Sequence, residues 1–120
     1  MTAKGPPDRS ELPDEGEPEV LSSSTRRSAK LIGLFLRQVP IEFANVVWAL
    51  ARGDRTQWKD VAHKLKGSCR AVGASRMAEC CETLERSPDV AAAHAAHARL
   101  IEEFDRAKML LEAELAHAPR

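Results

Sequence analysis

"QWKDVAHKLKGSCRAV", residues 57–72, repeats like one amphipathic helix, and the way it divides into faces decides how the rest of the chain is read. Advancing about 100° per residue from His63, Trp58, Val61, Leu65, Cys69 and Val72 collect on the side opposite the histidine, with Ser68 at the margin. That stripe has to be covered by other helices. Thr56, Lys59, Asp60, Lys66, Gly67 and Arg70 all fall within roughly 60° of His63 by the same rotation. His63 is therefore expected on the outside, among charges. Gly67 is the odd member, because a glycine inside a helix costs about 0.5–1 kcal/mol relative to alanine.

Working outward, apolar residues recur at helical spacing on both sides. Leu31, Ile32, Phe35, Leu36 and Val39 precede Pro40. A proline disfavours helix at the residue before it and suits the first turn of a new one. The pattern thus predicts a short first helix ending at Val39. A second holds Phe43, Val46, Val47 and Leu50 and stops near Gly53, after which Asp54 and Gln57 resemble a capping box for the third. Gly73 ends the third helix, and a short fourth places Met77, Cys81 and Leu84 on one face. Ser87 is expected to cap a fifth helix opened by Pro88, with a stripe of Val90, Ala93, His97, Leu100, Phe104, Leu111 and Leu115. No segment shows a period of two. The expected architecture is all-α: an antiparallel four-helix bundle with an additional short N-terminal helix.

Composition narrows the function classes. A chain of 120 residues with 43% hydrophobic residues suits one domain with a modest core. Lys plus Arg equals Asp plus Glu at 18 each, so the basic excess of a nucleic-acid binder is missing. No apolar run reads as long enough to cross a bilayer, and no signal-peptide core precedes the acidic stretch. Three cysteines, Cys69, Cys80 and Cys81, are odd in number with two adjacent, which fits free thiols in a cytoplasmic setting. The first twenty residues hold four prolines and six carboxylates against two basic side chains. Residues 1–24 are accordingly expected to be a disordered acidic, proline-rich tail that packs against nothing and contributes little to activity. Residues 1–20 carry 2 − 6 = −4 and the remaining hundred 16 − 12 = +4, so the body favours an acidic partner.

A lone helical histidine is most simply a solvated or packed side chain, but the neighbours of His63 give it a chemistry. A neutral imidazole is a competent nucleophile, one nitrogen attacking while the other is held by a hydrogen bond or water. If it attacks phosphorus, Lys66 one turn on can balance the incoming negative charge, and Gly67 leaves room for a second protein to bring its active site onto the ring. A metal site is not expected. Cys80 and Cys81 point about 100° apart on a helix, and His94 and His97 have no carboxylate or thiol close by in sequence. The cysteines read as small core residues, His97 as part-buried at the bundle edge, His94 and His117 as solvated, and Trp48 and Trp58 as core or boundary.

"AHKLKGSCRAVGA", residues 62–74, resembles the signature of histidine-containing phosphotransfer (HPt) domains of bacterial two-component phosphorelays. "FLRQVP", "ALARGD" and "CETLE" resemble the family in spacing and order, extending the likeness over about residues 26–117. The resemblance implies an HPt helical bundle over 25–118 that accepts a phosphoryl group on His63 from the phospho-aspartate of one receiver domain and passes it to another. It gives Lys66 a phosphate-proximal role and Gly67 a clearance role. Thr56, Lys59, Asp60, Lys64 and Arg70 become candidate partner contacts, Arg70 standing where the family often has a small residue. The implied partners are receiver domains of a hybrid sensor histidine kinase or a response regulator, with no nucleic acid or membrane, and the chain is expected to be monomeric. Mg2+ is expected on the receiver, with no intrinsic cofactor here. In the absence of a glycine-rich nucleotide loop the chain reads as a phosphoryl carrier and not a kinase. The competing reading is a helical adaptor that binds receiver or other signalling domains without transfer.

Overall fold

A computed structural model describes Leu21 and residues 27–117. The described residues form four helices: α1 (Ala29–Arg52), α2 (Arg55–Val72), α3 (Ser75–Arg86) and α4 (Val90–Ala116). Short turns connect them, and each packs on its neighbours in the order α1, α2, α3, α4 and back to α1, the closed square of an up-and-down bundle. The all-α bundle is as expected, whereas no separate N-terminal helix stands apart from α1 among the described residues.

The two helices expected on either side of Pro40 are one. Ile32, Phe35, Val39, Glu42, Val46 and Ala49 are all buried at alternating spacings of three and four, so the core-facing register runs across Pro40 without a slip. A proline in a helix interior costs about 3 kcal/mol or more. Burying each large apolar side chain of this row returns about 1.5–3 kcal/mol, enough to keep the helix continuous. Leu21 is the one described residue of the expected tail. It is half-buried against the core and forms an isolated antiparallel bridge with Ala74. The rest of 1–24 lies outside the described residues.

Helix ends follow local chemistry. Gly53 and Gly73 close α1 and α2 in the left-handed region at φ 64° and 80°, where a side chain is strained. Asp54 Oδ1 accepts from the Gln57 amide at 3.0 Å, half of the expected capping box. The start of α4 differs from expectation. Asp89 is the cap, its Oδ1 accepting from the Ala92 amide at 2.9 Å, while Pro88 stays outside the helix. Ser87 is buried and donates to the Thr83 carbonyl at the end of α3. An Asp side chain presents its acceptor to the amide three residues on as readily as Ser does, and Val90 then begins the helical dihedrals.

The α2 stripe is core as read: Trp58, Val61, Leu65, Cys69 and Val72 are buried, joined by Ala62. All three cysteines are buried and free, and burial pushes the Cys80 thiol up to about 11. Trp48, by contrast, is 65% exposed. With Leu34, Ile41 and Val47 it forms an apolar outer row on α1. That row gives α1 the length and composition of a membrane span, contrary to the sequence reading, although a core helix of a bundle passes the same test. At the base, Arg27 donates from Nε and Nη2 to the two carboxylate oxygens of Glu114 at 2.7 and 2.8 Å, and from Nη1 to the Val72 carbonyl at 3.3 Å. This fork ties the approach to α1 to the ends of α2 and α4.

His97 is buried, not part-buried, with its ring edge-on to Phe43 at 5.2 Å and Nε2 without a hydrogen-bond partner. Burial holds its pKa below the usual 6.5, with a smaller contribution from His94. The unfolded chain therefore takes up a proton first as pH falls, so the stability present above about pH 6.5 is lost below it. The melting temperature should drop between pH 7.5 and 5.5, and His97→Phe, which keeps the ring packing, should flatten that slope. An unchanged slope would place the acid sensitivity elsewhere. The carboxylates whose pKa is lowered, Glu42, Glu85 and Glu114, titrate below this window.

Candidate functional site

Because Trp58, Val61, Leu65 and Cys69 hold α2 against the bundle, its opposite face is turned to solvent. The His63 side chain is 71% exposed there. Thr56, Lys59, Asp60, Lys64, Gly67 and Arg70 are exposed as well, and Lys66 is partly covered. An alanine-type Cβ at Gly67 would meet no atom within 4 Å, so this glycine is required by nothing in the fold.

Glu85 organises the face, and it comes from another helix. From the last turn of α3 its Oε2 lies 3.2 Å from His63 Nδ1, and its Oε1 accepts from Lys66 Nζ at 2.9 Å. The Lys66 bond, and more weakly the histidine, hold the Glu85 carboxyl below its usual pKa, against the opposing effect of burial. An ionised carboxylate can only accept, so the contact requires the proton on Nδ1 and leaves Nε2 as the lone-pair nitrogen of a neutral ring. Lys66, set one turn from His63 to balance incoming charge, is engaged before any phosphoryl group arrives. Its side chain is 15% exposed and already paired.

Lys64 is occupied too. It pairs at 2.9 Å with Glu42, a buried carboxylate of α1 that also accepts from Asn45 Nδ2 at 3.0 Å. Burial alone would raise the Glu42 pKa, yet these hydrogen bonds more than offset it and leave it lowered. The pair sets the middle of α1, with Ile41 on its outer row, alongside the His63 turn. On the other flank a groove between α2 and α3 is lined by Arg55, Lys59, Lys66, Glu82, Glu85 and Arg86, with Arg86 bonded to Glu82 at 2.7 Å.

His63, Lys66 and Gly67 lie on one face of α2 as helical spacing expects, whereas Glu85 and Glu42 reach that face from other helices and carry no signal in the spacing of α2. Glu85 sits 22 residues from His63, at the end of the quoted "CETLE", and helical spacing within α2 says nothing about which α3 residue will stand opposite. Comparison with curated proteins and with solved structures finds no match. A family model described as Hpt domain matches residues 30–118, which takes in all four helices and the whole histidine face. The chain therefore belongs to the Hpt domain family, the phosphocarrier modules of two-component signalling that interact with receiver domains.

Proposed function

We infer that this domain relays a phosphoryl group between receiver aspartates through Nε2 of His63, in a cytoplasmic two-component phosphorelay. The observation that carries the reading is the Glu85 bridge: one carboxylate holds both the Nδ1 proton of an exposed imidazole and the ammonium of Lys66. In the forward step the Nε2 lone pair attacks the phosphorus of a receiver's aspartyl phosphate. The N–P bond forms as the acyl O–P bond breaks, and the aspartate leaves as its carboxylate. Positive charge grows on the ring, and Glu85, keeping the Nδ1 proton, stabilises it. Lys66 then exchanges Glu85 for the arriving phosphoryl oxygens. Mg2+ and the acidic pocket would be the receiver's contribution.

The surroundings suit such a partner. Lys59 and Arg70 present positive charge to an acidic cleft. Ile41 and Trp48 add the apolar and aromatic area typical of an interface centre. Incubation with a phosphorylated receiver and Mg2+ should place acid-labile label on the chain, and a second receiver should remove it. Acid-stable label, or none, would contradict the reading.

Glu85→Ala isolates the bridge. Losing a net hydrogen bond worth about 0.5–1.5 kcal/mol should slow transfer about two- to tenfold, and 15N spectra should show Nδ1–H giving way to a mixture of ring tautomers. Retained tautomer bias with unchanged rate would show the contact to be incidental.

A further inference from the structure

Two things decide how long a phosphoryl group stays on an imidazole: whether water reaches the phosphorus, and whether the ring can leave as a neutral molecule. Water has access here. The His63 side chain is 71% exposed, and a Cβ at Gly67 would meet no atom within 4 Å, so the approach to the ring from that side is open. The leaving group is governed by Glu85. Once the N–P bond has formed at Nε2 the ring is a cation whose proton sits on Nδ1. If it keeps that proton it departs as neutral imidazole; if solvent takes the proton it has to depart as an imidazolide anion, a far poorer leaving group. Cys81 and Leu84, both fully buried, seat the last turn of α3, and Glu85 next to them presents Oε2 to Nδ1 at 3.2 Å and Oε1 to Lys66 Nζ at 2.9 Å. Its side chain is 24% exposed, and the Lys66 bond holds its carboxyl below the usual range, so it faces the ring as an anion mostly withdrawn from water. The other charged groups around the ring are Lys59, Asp60, Lys66 and Arg70 on α2 and Glu82 on α3, while Glu42 of α1 is taken by Lys64. Among the described residues, Glu85 is the group hydrogen-bonded to the ring.

We propose that Glu85 sets the lifetime of the phosphoryl group on His63: by keeping the proton on Nδ1 it holds the ring as a ready leaving group, and the bond that speeds transfer also makes the phosphohistidine short-lived in water. In the losing step a water oxygen attacks the phosphorus and the N–P bond breaks. The electron pair of that bond returns to Nε2, neutral imidazole with Nδ1–H is restored, and the proton of the water passes to solvent as inorganic phosphate is released. The purpose, a carrier that empties unless a receiver collects the group, rests on the relay reading above; the lifetime itself depends on His63 and Glu85 alone. Without Glu85 the Nδ1 proton is open to loss to solvent, and the phosphoryl group should persist.

The full chain can be labelled by phosphoramidate, from which Nε2 takes the phosphoryl group as ammonia leaves, or by a phosphorylated receiver with Mg2+. Phosphorus-coupled 15N spectra then follow the group on His63 itself. At about pH 8 the group should be lost about two- to tenfold more slowly from Glu85→Ala and Glu85→Gln than from the parent, and at about pH 5, where solvent supplies the proton to every ring, the rates should converge. Glu82→Gln removes a carboxylate from the same groove without touching the ring, and should lose the group at the parent rate. Equal lifetimes at the higher pH would overturn the proposal, as would faster loss from the Glu85 variants. Slowing of the same size at both pH values would point to water access or to Lys66 and would overturn it as well. An effect of Glu82→Gln as large as that of Glu85→Ala would do the same, by pointing to the field of the groove. If phosphoramidate labels His63 with the expected lifetimes but no receiver gives or takes the group, the lifetime stands and the relay reading fails. A His63 that takes label from neither source would overturn both.

Discussion

His63→Gln is expected to leave the bundle folded and to abolish phosphoryl transfer. The side chain is 71% exposed on a helix whose opposite face does the packing, so the substitution should change stability by no more than about 0.5 kcal/mol. Glu85 keeps its bond to Lys66 in the variant. The amide of Gln has no nucleophilic nitrogen, so nothing remains to form the N–P bond. No other histidine can take over. His97 is buried, and His94 and His117 are exposed on α4 or at its end, whereas Lys66 and Glu85 pair between α2 and α3. Melting temperature and transfer rate measured together decide the matter: label that survives the substitution would remove His63 from the mechanism.

Gly67 should separate fold from function. A Cβ there meets open space, so Gly67→Ala should stabilise the domain by a few tenths to about 1 kcal/mol, through helix propensity and a less disordered unfolded state. Gly67→Gln should be at least as stable as the parent on the same grounds. Its side chain, however, would rise one turn from His63 and about 40° around the helix, in the path of a docking receiver. Displacing a reacting partner by about 1 Å can cost roughly 10²-fold, so transfer should fall by about that factor while the melting temperature does not. A Gln variant that transfers at the parent rate would leave the glycine without a functional reason, and one that unfolds would assign it to packing.

What could be read from the sequence was what a single helix determines. The division of α2 into a core stripe and a charged face depends only on helical geometry, and Gly53 and Gly73 ended their helices because a left-handed residue is the common way to satisfy the last carbonyls. What could not be read depended on two helices at once. Pro40 is a local breaker, and only the unbroken row from Ile32 to Ala49, with the polar Glu42 in its middle, overrides it. A buried Glu42 depends on its partner Lys64, which comes from α2. The pairing of Lys66 likewise depends on another helix, α3, which carries Glu85. Asp89 displaced Ser87 as cap through a competition between two good capping residues two positions apart, which composition does not resolve.

The chemistry proposed here turns on one atom, Nε2 of His63, and phosphorus-coupled 15N spectroscopy of the ring reads that atom directly. After incubation with a phosphorylated receiver and Mg2+, the relay account predicts one phosphoramidate, with phosphorus coupled to Nε2 of His63 and the proton retained on Nδ1 beside Glu85. Phosphorus on Nδ1, on another residue, or absent from a folded chain exposed to a competent phosphorylated receiver would contradict it.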